Sequence, residues 1–184
     1  MRHFGAYDYY NATIDFRQYY WLEPVALAFR FMHFSQLGRD AQSFYPILIG
    51  QMGLVRGYDF NALQRLNDEY GLNFNNLSGL KIALTGFEVR LPFTGVNRLA
   101  LIKSKLIMSE LALFVDGGIA FDDYNSIFIQ KGDPGYAYRP ELVFSTGASI
   151  RINLFGAIIL EPYWAWPLRR GSKVIFGLNL VPGW

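Results

Sequence analysis

The chain has 184 residues, a formal net charge of +2 and no cysteine, and 52% of its residues are hydrophobic, 17% aromatic and 17% charged. This length fits a single domain with a sizeable core, and the charged fraction lies below the about 25% of an ordinary soluble domain. The composition excludes disulfides and thiolate metal sites, and the scattered basic residues give no nucleic-acid footprint.

Hydrophobic periodicity indicates where the apolar residues go. A transmembrane helix needs roughly 18 or more consecutive apolar residues, and the longest uninterrupted runs, such as 111–115, are much shorter. The apolar residues instead fall in short alternating segments, a pattern that is typical of a transmembrane β-barrel. The sequence therefore predicts an all-β protein, an antiparallel transmembrane β-barrel meander.

Alternation with a period of two residues predicts eight strands, of which the first is partial. They cover about 3–10, 13–21, 25–35, 80–91, 108–121, 142–154, 157–168 and 173–184. We expect the apolar face to point to lipid at Phe144, Ile150, Ile152, Ile158, Leu160, Phe176, Leu178 and Leu180. We expect the opposite face, which is rich in small and polar residues, to point to the lumen at Ser145, Ser149, Arg151, Glu161 and Asn179.

Two long connections, the central loop at 38–79 and a second loop at 122–140, follow the third and fifth predicted strands, whereas the turns after the second and sixth are short. Because bacterial barrels combine short periplasmic turns with longer extracellular loops, this parity places the central loop outside and the C-terminus at the periplasm. We expect one barrel domain over 1–184. Since the N-terminus lacks the apolar region of a secretory signal, we expect that domain to be a fragment of a longer precursor.

Tryptophans lie near the ends of several predicted strands, at Trp21, Trp164, Trp166 and Trp184. Aromatic side chains at such positions form the interfacial girdles of membrane proteins. The alternative is that they fill the core of a soluble β-sandwich.

The central loop contains Val55-Arg56-Gly57-Tyr58, where an arginine lies among glycine and aromatic residues. Very long connections in compact domains are uncommon and usually functional. We therefore treat Arg56 as a candidate site residue, and an ordinary solvated loop charge remains the alternative.

Catalytic and metal-binding patterns are weak in this sequence. His3 and His33 lie on different predicted strands, and neither HExxH nor GxSxG occurs. Asp116 has no second aspartate in the 145–148 segment with which to form a catalytic pair. The acidic run at 122–125 could contact a cation, but acidic loops are usually just solvated. We expect no enzyme, no cofactor and no metal site.

Four stretches are informative together: Val55 to Tyr58, 86–92, Phe114 to Gly118, and the last strand at 173–184. They resemble the C-terminal barrel half of the outer membrane protein 85 superfamily, the bacterial surface antigen barrels. Val55 to Tyr58 matches the [VI]RG[FY] loop motif of that family, and the strand at 86–92 is similar to the one that follows the loop. Phe114-Val115-Asp116-Gly117-Gly118 is similar to the next strand, and the chain ends in an alternating strand with a terminal aromatic residue. The C-terminal strand signal comprises Phe176, Leu178, Leu180 and Trp184. The periplasmic domains and the first barrel half of the family are missing from this sequence.

The resemblance implies a site and a function. In the family the loop folds back into the lumen, so Arg56 is expected to pair with Glu88 and Asp116, forming a loop latch with Val55, Gly57 and Tyr58. Alternation separately turns both carboxylates inward. The implied function is outer-membrane protein assembly or translocation in bacteria, with outer-membrane lipids, unfolded protein substrates, the missing barrel half and periplasmic domains as partners. The alternative is an outer-membrane anchor fused to another domain, such as a patatin-like lipase or a propeller.

Overall fold

The protein is represented by a computed structural model that describes residues 7–51, 53–59, 72–95, 101–103, 107–129, 133, 139–169 and 171–182. Strands account for most of these residues. They are β1 Tyr10–Leu22, β2 Val25–Leu37, β3 Ile47–Leu48, β4 Ser78–Gly79, β5 Lys81–Gly95, β6 Ile102–Lys103, β7 Ile107–Phe121, β8 Val143–Leu154, β9 Ile158–Pro167 and β10 Ile175–Pro182. The short helices are α1 at Phe74–Leu77 and 3-10 turns at Ala41–Ser43 and Tyr124–Phe128.

Seven long strands form one antiparallel meander in the order β1-β2-β5-β7-β8-β9-β10. β6 adds a short parallel pairing to the end of β5, and β3 pairs with β4 in a separate ladder. The large sheet is open, with β1 at one edge and β10 at the other. Among the described residues, no helix is long and apolar enough to cross a membrane. The prediction of an all-β antiparallel meander is confirmed at this level.

The strand boundaries differ from the prediction mainly at the beginning of the chain. Of the first predicted strand, about 3–10, residues 3–6 lie outside the described residues, and residues 7–9 do not belong to a strand. β1 then begins at Tyr10, three positions before the second predicted strand. β5 continues past Pro92 to Gly95 because a register shift between Pro92 and Thr94 accommodates the proline, and such irregularities are where strands tolerate it.

The two faces of the large sheet have opposite character. On the outer face, large apolar side chains are solvent-exposed, including Phe87, Leu113, Phe144, Trp164 and Phe176, whose exposed fractions run from 40% to 64%. The inner face carries the buried residues, among them Ser145, Ser149, Glu161 and Asn179. The predicted alternation therefore has the correct register, since a slip of one residue would exchange the two faces.

The central loop covers the inner face instead of lying apart from the sheet. Its residues Leu48, Ile49, Val55, Tyr58, Leu72 and Leu77 form one buried cluster with Ile82, Leu84, Ala120 and Val143 of the sheet. This long connection contains short regular elements, since the β3–β4 ladder, α1 and a 3-10 turn all lie between residues 38 and 79. Apolar burial against the sheet, not a local period, decides the path of this loop.

Candidate functional site

The path of the loop depends on two glycines. Gly57 has a φ of +86°, a left-handed conformation that glycine adopts without a steric penalty. Gly118 on β7 allows the loop to approach the sheet, because a Cβ there would lie 2.8 Å from Ile49 Cδ1 and 3.0 Å from Val55 Cγ2. The loop backbone is held by a hydrogen bond from Val55 N to Ile49 O at 3.1 Å. These features bring Arg56 onto the inner face of the sheet.

Arg56 meets Asp116 of β7 in a two-point ion pair. Its Nε lies 2.7 Å from Asp116 Oδ2 and its Nη2 lies 2.9 Å from Oδ1. The backbone N–H of Arg56 donates to the same Oδ2 at 3.3 Å. The planar guanidinium matches a carboxylate in this fork geometry, so Asp116 fixes both the side chain and the backbone of the loop.

Two further carboxylates complete the shell around Arg56. Nη2 lies 2.7 Å from Glu88 Oε1 on β5, and Nη1 lies 2.9 Å from Glu161 Oε1 on β9. The Arg56 side chain is 7% exposed, and those of the three carboxylates are 6% to 12% exposed. The structure thus brings together the three predicted residues Arg56, Glu88 and Asp116. It adds a third carboxylate to them.

Neighbouring groups bind the remaining carboxylate oxygens. Glu88 Oε2 accepts from Arg90 Nε at 2.7 Å and from Arg151 Nη1 at 3.4 Å. Arg151 also lies 3.9 Å from Glu110 Oε2, so each of the three arginines in and around the site, Arg56, Arg90 and Arg151, is paired with at least one carboxylate. Desolvation makes a buried charge costly unless it is paired and hydrogen-bonded. Each member of this cluster consequently depends on the others.

Aromatic groups support the loop next to the charges. The Arg56 guanidinium carbon lies 3.6 Å from the centroid of the Phe114 ring, close enough for a cation–π contact. Tyr58 is fully buried, and its hydroxyl donates to Phe144 O at 3.0 Å. Burial raises the pKa of the Tyr58 phenol to about 12, so this group remains a hydrogen-bond donor at ordinary pH.

The charge state of Arg56 follows from two opposing effects. Burial alone lowers the pKa of a guanidinium, but the hydrogen bonds and charge of Asp116, together with the charges of Glu88 and Glu161, raise the pKa above its usual value. Arg56 is therefore a permanent cation in the site. The solvated loop charge considered as an alternative from the sequence is wrong.

A cavity of about 380 Å³ lies beside the site on the inner face. Arg17 and Arg30 in its wall both contact Asp15, at 2.8 and 3.1 Å, and Arg151 contacts Glu88. The wall is thus charged, with its arginines paired to carboxylates. A polar interior of this kind is typical of the lumen of outer-membrane barrels.

Other sequence candidates have structural partners in the described region. Asp122 accepts from Leu80 N, and Asp123 accepts from Asn125 N at the start of a 3-10 turn. His33 Nε2 lies 2.8 Å from Ser35 Oγ, whereas His3 lies outside the described residues. Within those residues, no group of histidine and acidic side chains could hold a metal ion.

The C-terminal strand signal is partly described. Phe176, Leu178 and Leu180 are 49% to 62% exposed on the outer face, and Trp184 lies outside the described residues. Trp21, Trp164 and Trp166 are 40% to 44% exposed. These three tryptophans do not fill a core, which contradicts the alternative interpretation of them as core residues of a sandwich.

The contact between Arg56 and Glu161 was missed by sequence reasoning. Alternation turned Glu161 inward, and a buried carboxylate requires a partner, but this does not identify which cation it meets 105 positions away. Comparison of the chain with protein-family models and with curated proteins gave no match.

Proposed function

We propose that this chain is the C-terminal half of a bacterial outer-membrane β-barrel of the outer membrane protein 85 superfamily, acting in protein assembly or translocation. The role is not enzymatic. The observation that carries the proposal is the burial of Arg56, in a loop that folds over the inner face, against Asp116, Glu88 and Glu161.

The outer face supports a membrane location. Exposed apolar side chains extend over β2, β5, β7, β8, β9 and β10, and monomeric soluble proteins rarely expose contiguous apolar patches of more than a few hundred Å². Lipid acyl chains would cover such a face, while the paired charges stay on the opposite one. This division between an apolar outer face and a polar interior is that of an outer-membrane barrel.

The open edges support the assignment to half of a larger barrel. β1 is exposed along nearly its whole length on both faces, and its second edge has no partner strand among the described residues. Unpaired strand edges are not tolerated in the hydrocarbon region of a bilayer. Further strands, from the missing barrel half, would close the barrel against β1 and β10.

The ion pairs of Arg56 support a function in protein passage. They fix the central loop inside the barrel, so that a strand or a substrate polypeptide would have to move past it. Arg56 ties the loop to carboxylates on three different strands, so the loop fills part of the interior. Passage of a polypeptide would then require either opening of the seam beside β10 or displacement of the loop. Outer-membrane lipids and unfolded outer-membrane or secreted proteins are the partners in this function.

Fractionation of the full-length protein from its native host tests the location. We expect it in the outer membrane, soluble only with detergent, with heat-dependent mobility in gels. Depletion should lower the folded amount of other outer-membrane proteins or the export of a secreted substrate, and an Arg56→Ala copy should restore it less well than an Arg17→Ala copy. Recovery in the aqueous phase without detergent would overturn the proposal. Depletion that affects only the activity of a fused domain would support the anchor function instead.

A further inference from the structure

The carboxylate of Glu161 is bound on both oxygens by residues from different elements. Oε1 accepts from Arg56 Nη1 at 2.9 Å and from Ser149 Oγ at 3.0 Å. Oε2 accepts from Asn179 Nδ2 at 3.2 Å. These partners lie on the central loop, β8 and β10, and all four residues are at most 7% exposed. One buried carboxylate thus joins the loop to the last three strands of the sheet.

The last strand contacts the interior at few positions on its inner face, one of which is Ile175, packed against the buried cluster of the central loop and the sheet. β10 pairs with β9, where Asn179 lies directly opposite Glu161, and its other edge has no partner strand in the described part of the chain. Between residues 175 and 180, the inner face of β10 carries Ile175, Gly177 and Asn179. Asn179 is the polar side chain of this set, so it provides the hydrogen bond by which that stretch of β10 reaches the charged site.

We propose that Glu161 is a positioning residue that couples the seating of the central loop to the pairing of β10 with β9. The coupling rests on the proposed function, in which the seam beside β10 opens. When Arg56 leaves, Glu161 loses its charge-assisted partner and becomes a buried carboxylate that must turn toward water. Asn179 then loses its fixed acceptor, and the edge strand is held less firmly.

Linkage makes the effect reciprocal. If seating of the loop favours pairing of β10, then pairing of β10 favours seating of the loop by the same factor. Loss of the Asn179 amide should therefore loosen the loop around Arg56, although this amide donates its hydrogen bond to Glu161 and not to the loop. This reverse effect distinguishes coupling of the loop and β10 from a purely local effect of one substitution.

Glu88 provides a matched control for the direct loss of a partner of Arg56. It accepts from Arg56 Nη2 at 2.7 Å, but β5 is separated from β10 by β7, β8 and β9. Removing its charge weakens the anchor while Glu161 keeps its contacts with Arg56 and Asn179. Because Arg56 keeps its contacts with Asp116 and Glu161 in this variant, the loop stays seated and β10 should be unchanged.

Hydrogen–deuterium exchange of the full chain in detergent micelles tests the coupling, with Arg56→Ala, Asn179→Ala, their double variant and Glu88→Gln compared with the parent. We expect Arg56→Ala and Asn179→Ala each to accelerate exchange in 175–182 by about tenfold, the scale of one hydrogen bond to a charge. Asn179→Ala should also accelerate exchange in 53–59. The double variant should exchange no faster than Arg56→Ala, and Glu88→Gln should leave 175–182 at the parent rate.

Independent effects in the double variant, or equal acceleration of 175–182 by Glu88→Gln, would overturn the coupling. If Arg56→Ala does not fold, the response of 53–59 to Asn179→Ala decides alone, and an unchanged loop refutes the proposal. The readout does not require a membrane location. Coupling in a protein recovered from the aqueous phase would keep this inference and remove the proposed function, whereas an outer-membrane protein without coupling would do the opposite.

Discussion

Arg56 and Asp116, 60 positions apart in the sequence, form a two-point ion pair with Nε–Oδ2 and Nη2–Oδ1 distances of 2.7 and 2.9 Å. The same carboxylate also accepts from the backbone N–H of Arg56. Because the side chain and the backbone of Arg56 both donate to the Asp116 carboxylate, movement of the loop away from β7 breaks all three hydrogen bonds. Asp116 is thus the main attachment point of the loop.

Removal of Arg56 should strongly destabilise the fold. Arg56→Ala leaves three largely buried carboxylates without their shared cation, and breaking a buried ion pair costs about 3–5 kcal/mol. The free energy of unfolding, measured by guanidinium titration in lipid vesicles, should fall by that amount. Arg17→Ala is the control, because Arg17 is about one-third exposed in its pair with Asp15 and such pairs contribute about 0–1 kcal/mol.

A double-mutant cycle measures the attachment itself. Arg56→Ala and Asp116→Asn should deviate from additivity by about 0.5–3 kcal/mol, as residues in one hydrogen-bonded network do. The double variant should be less damaged than the sum of the single variants, because Asp116→Asn removes one of the charges that Arg56→Ala leaves unpaired. Strict additivity would show that the two residues do not stabilise each other.

The outer face should reject charge if it contacts lipid. Leu178 lies in the middle of β10 with its side chain 50% exposed. Leu178→Arg should lower the free energy of unfolding in vesicles by about 2–4 kcal/mol, as expected near the bilayer midplane. Leu22→Arg, at the end of β1, is the matched control and should cost about 0–1 kcal/mol, as expected near an interface. Equal stability of Leu178→Arg and its parent would place this face in water.

The sequence was sufficient for the faces of the strands but not for the shell around Arg56. Period-two alternation is a local property of strands, so the inward positions of Ser149, Glu161 and Asn179 could be predicted. Which inward side chains lie at the same level on neighbouring strands depends on the register of several strands. Glu161 reaches Arg56 only because the loop crosses from β5 toward β9, and no local pattern encodes that crossing.

Hydrophobic periodicity could not predict the path of the central loop either. Ile49 and Val55 are buried without belonging to a long strand or helix, because they pack on the sheet and on each other. Irregular backbone has no fixed side-chain period. Its folded position follows from the shape of the inner face, including the space left at Gly118.

The Tyr58 hydroxyl should contribute only modestly to stability. It donates to Phe144 O, which also accepts from Leu168 N at 2.8 Å. Tyr58→Phe therefore leaves no orphaned carbonyl, and the expected cost is that of one hydrogen bond, about 0.5–1.5 kcal/mol. Unfolding titrations would check this value. Tyr58→Ala should be several times worse, since it also removes a fully buried ring, and equal effects of the two variants would contradict the packed position of Tyr58.

The close approach of the loop to β7 can be tested at Gly118. A Cβ at this position would lie 2.8 Å from Ile49 Cδ1 and 3.0 Å from Val55 Cγ2. Gly118→Ala should therefore force the ends of the Ile49 and Val55 side chains to shift and cost about 1–3 kcal/mol, the usual range for overpacking. The loss should be visible both in unfolding titrations and as faster hydrogen exchange of the loop.

Ile49→Val removes the Cδ1 atom, so it should recover part of the stability in the Gly118→Ala background while destabilising the parent by about 0.5–1.5 kcal/mol. Val115→Ala, on the outer face of the same strand, should leave loop exchange unchanged. If Ile49→Val costs the same in both backgrounds, the loop does not lie against Gly118 in the way described.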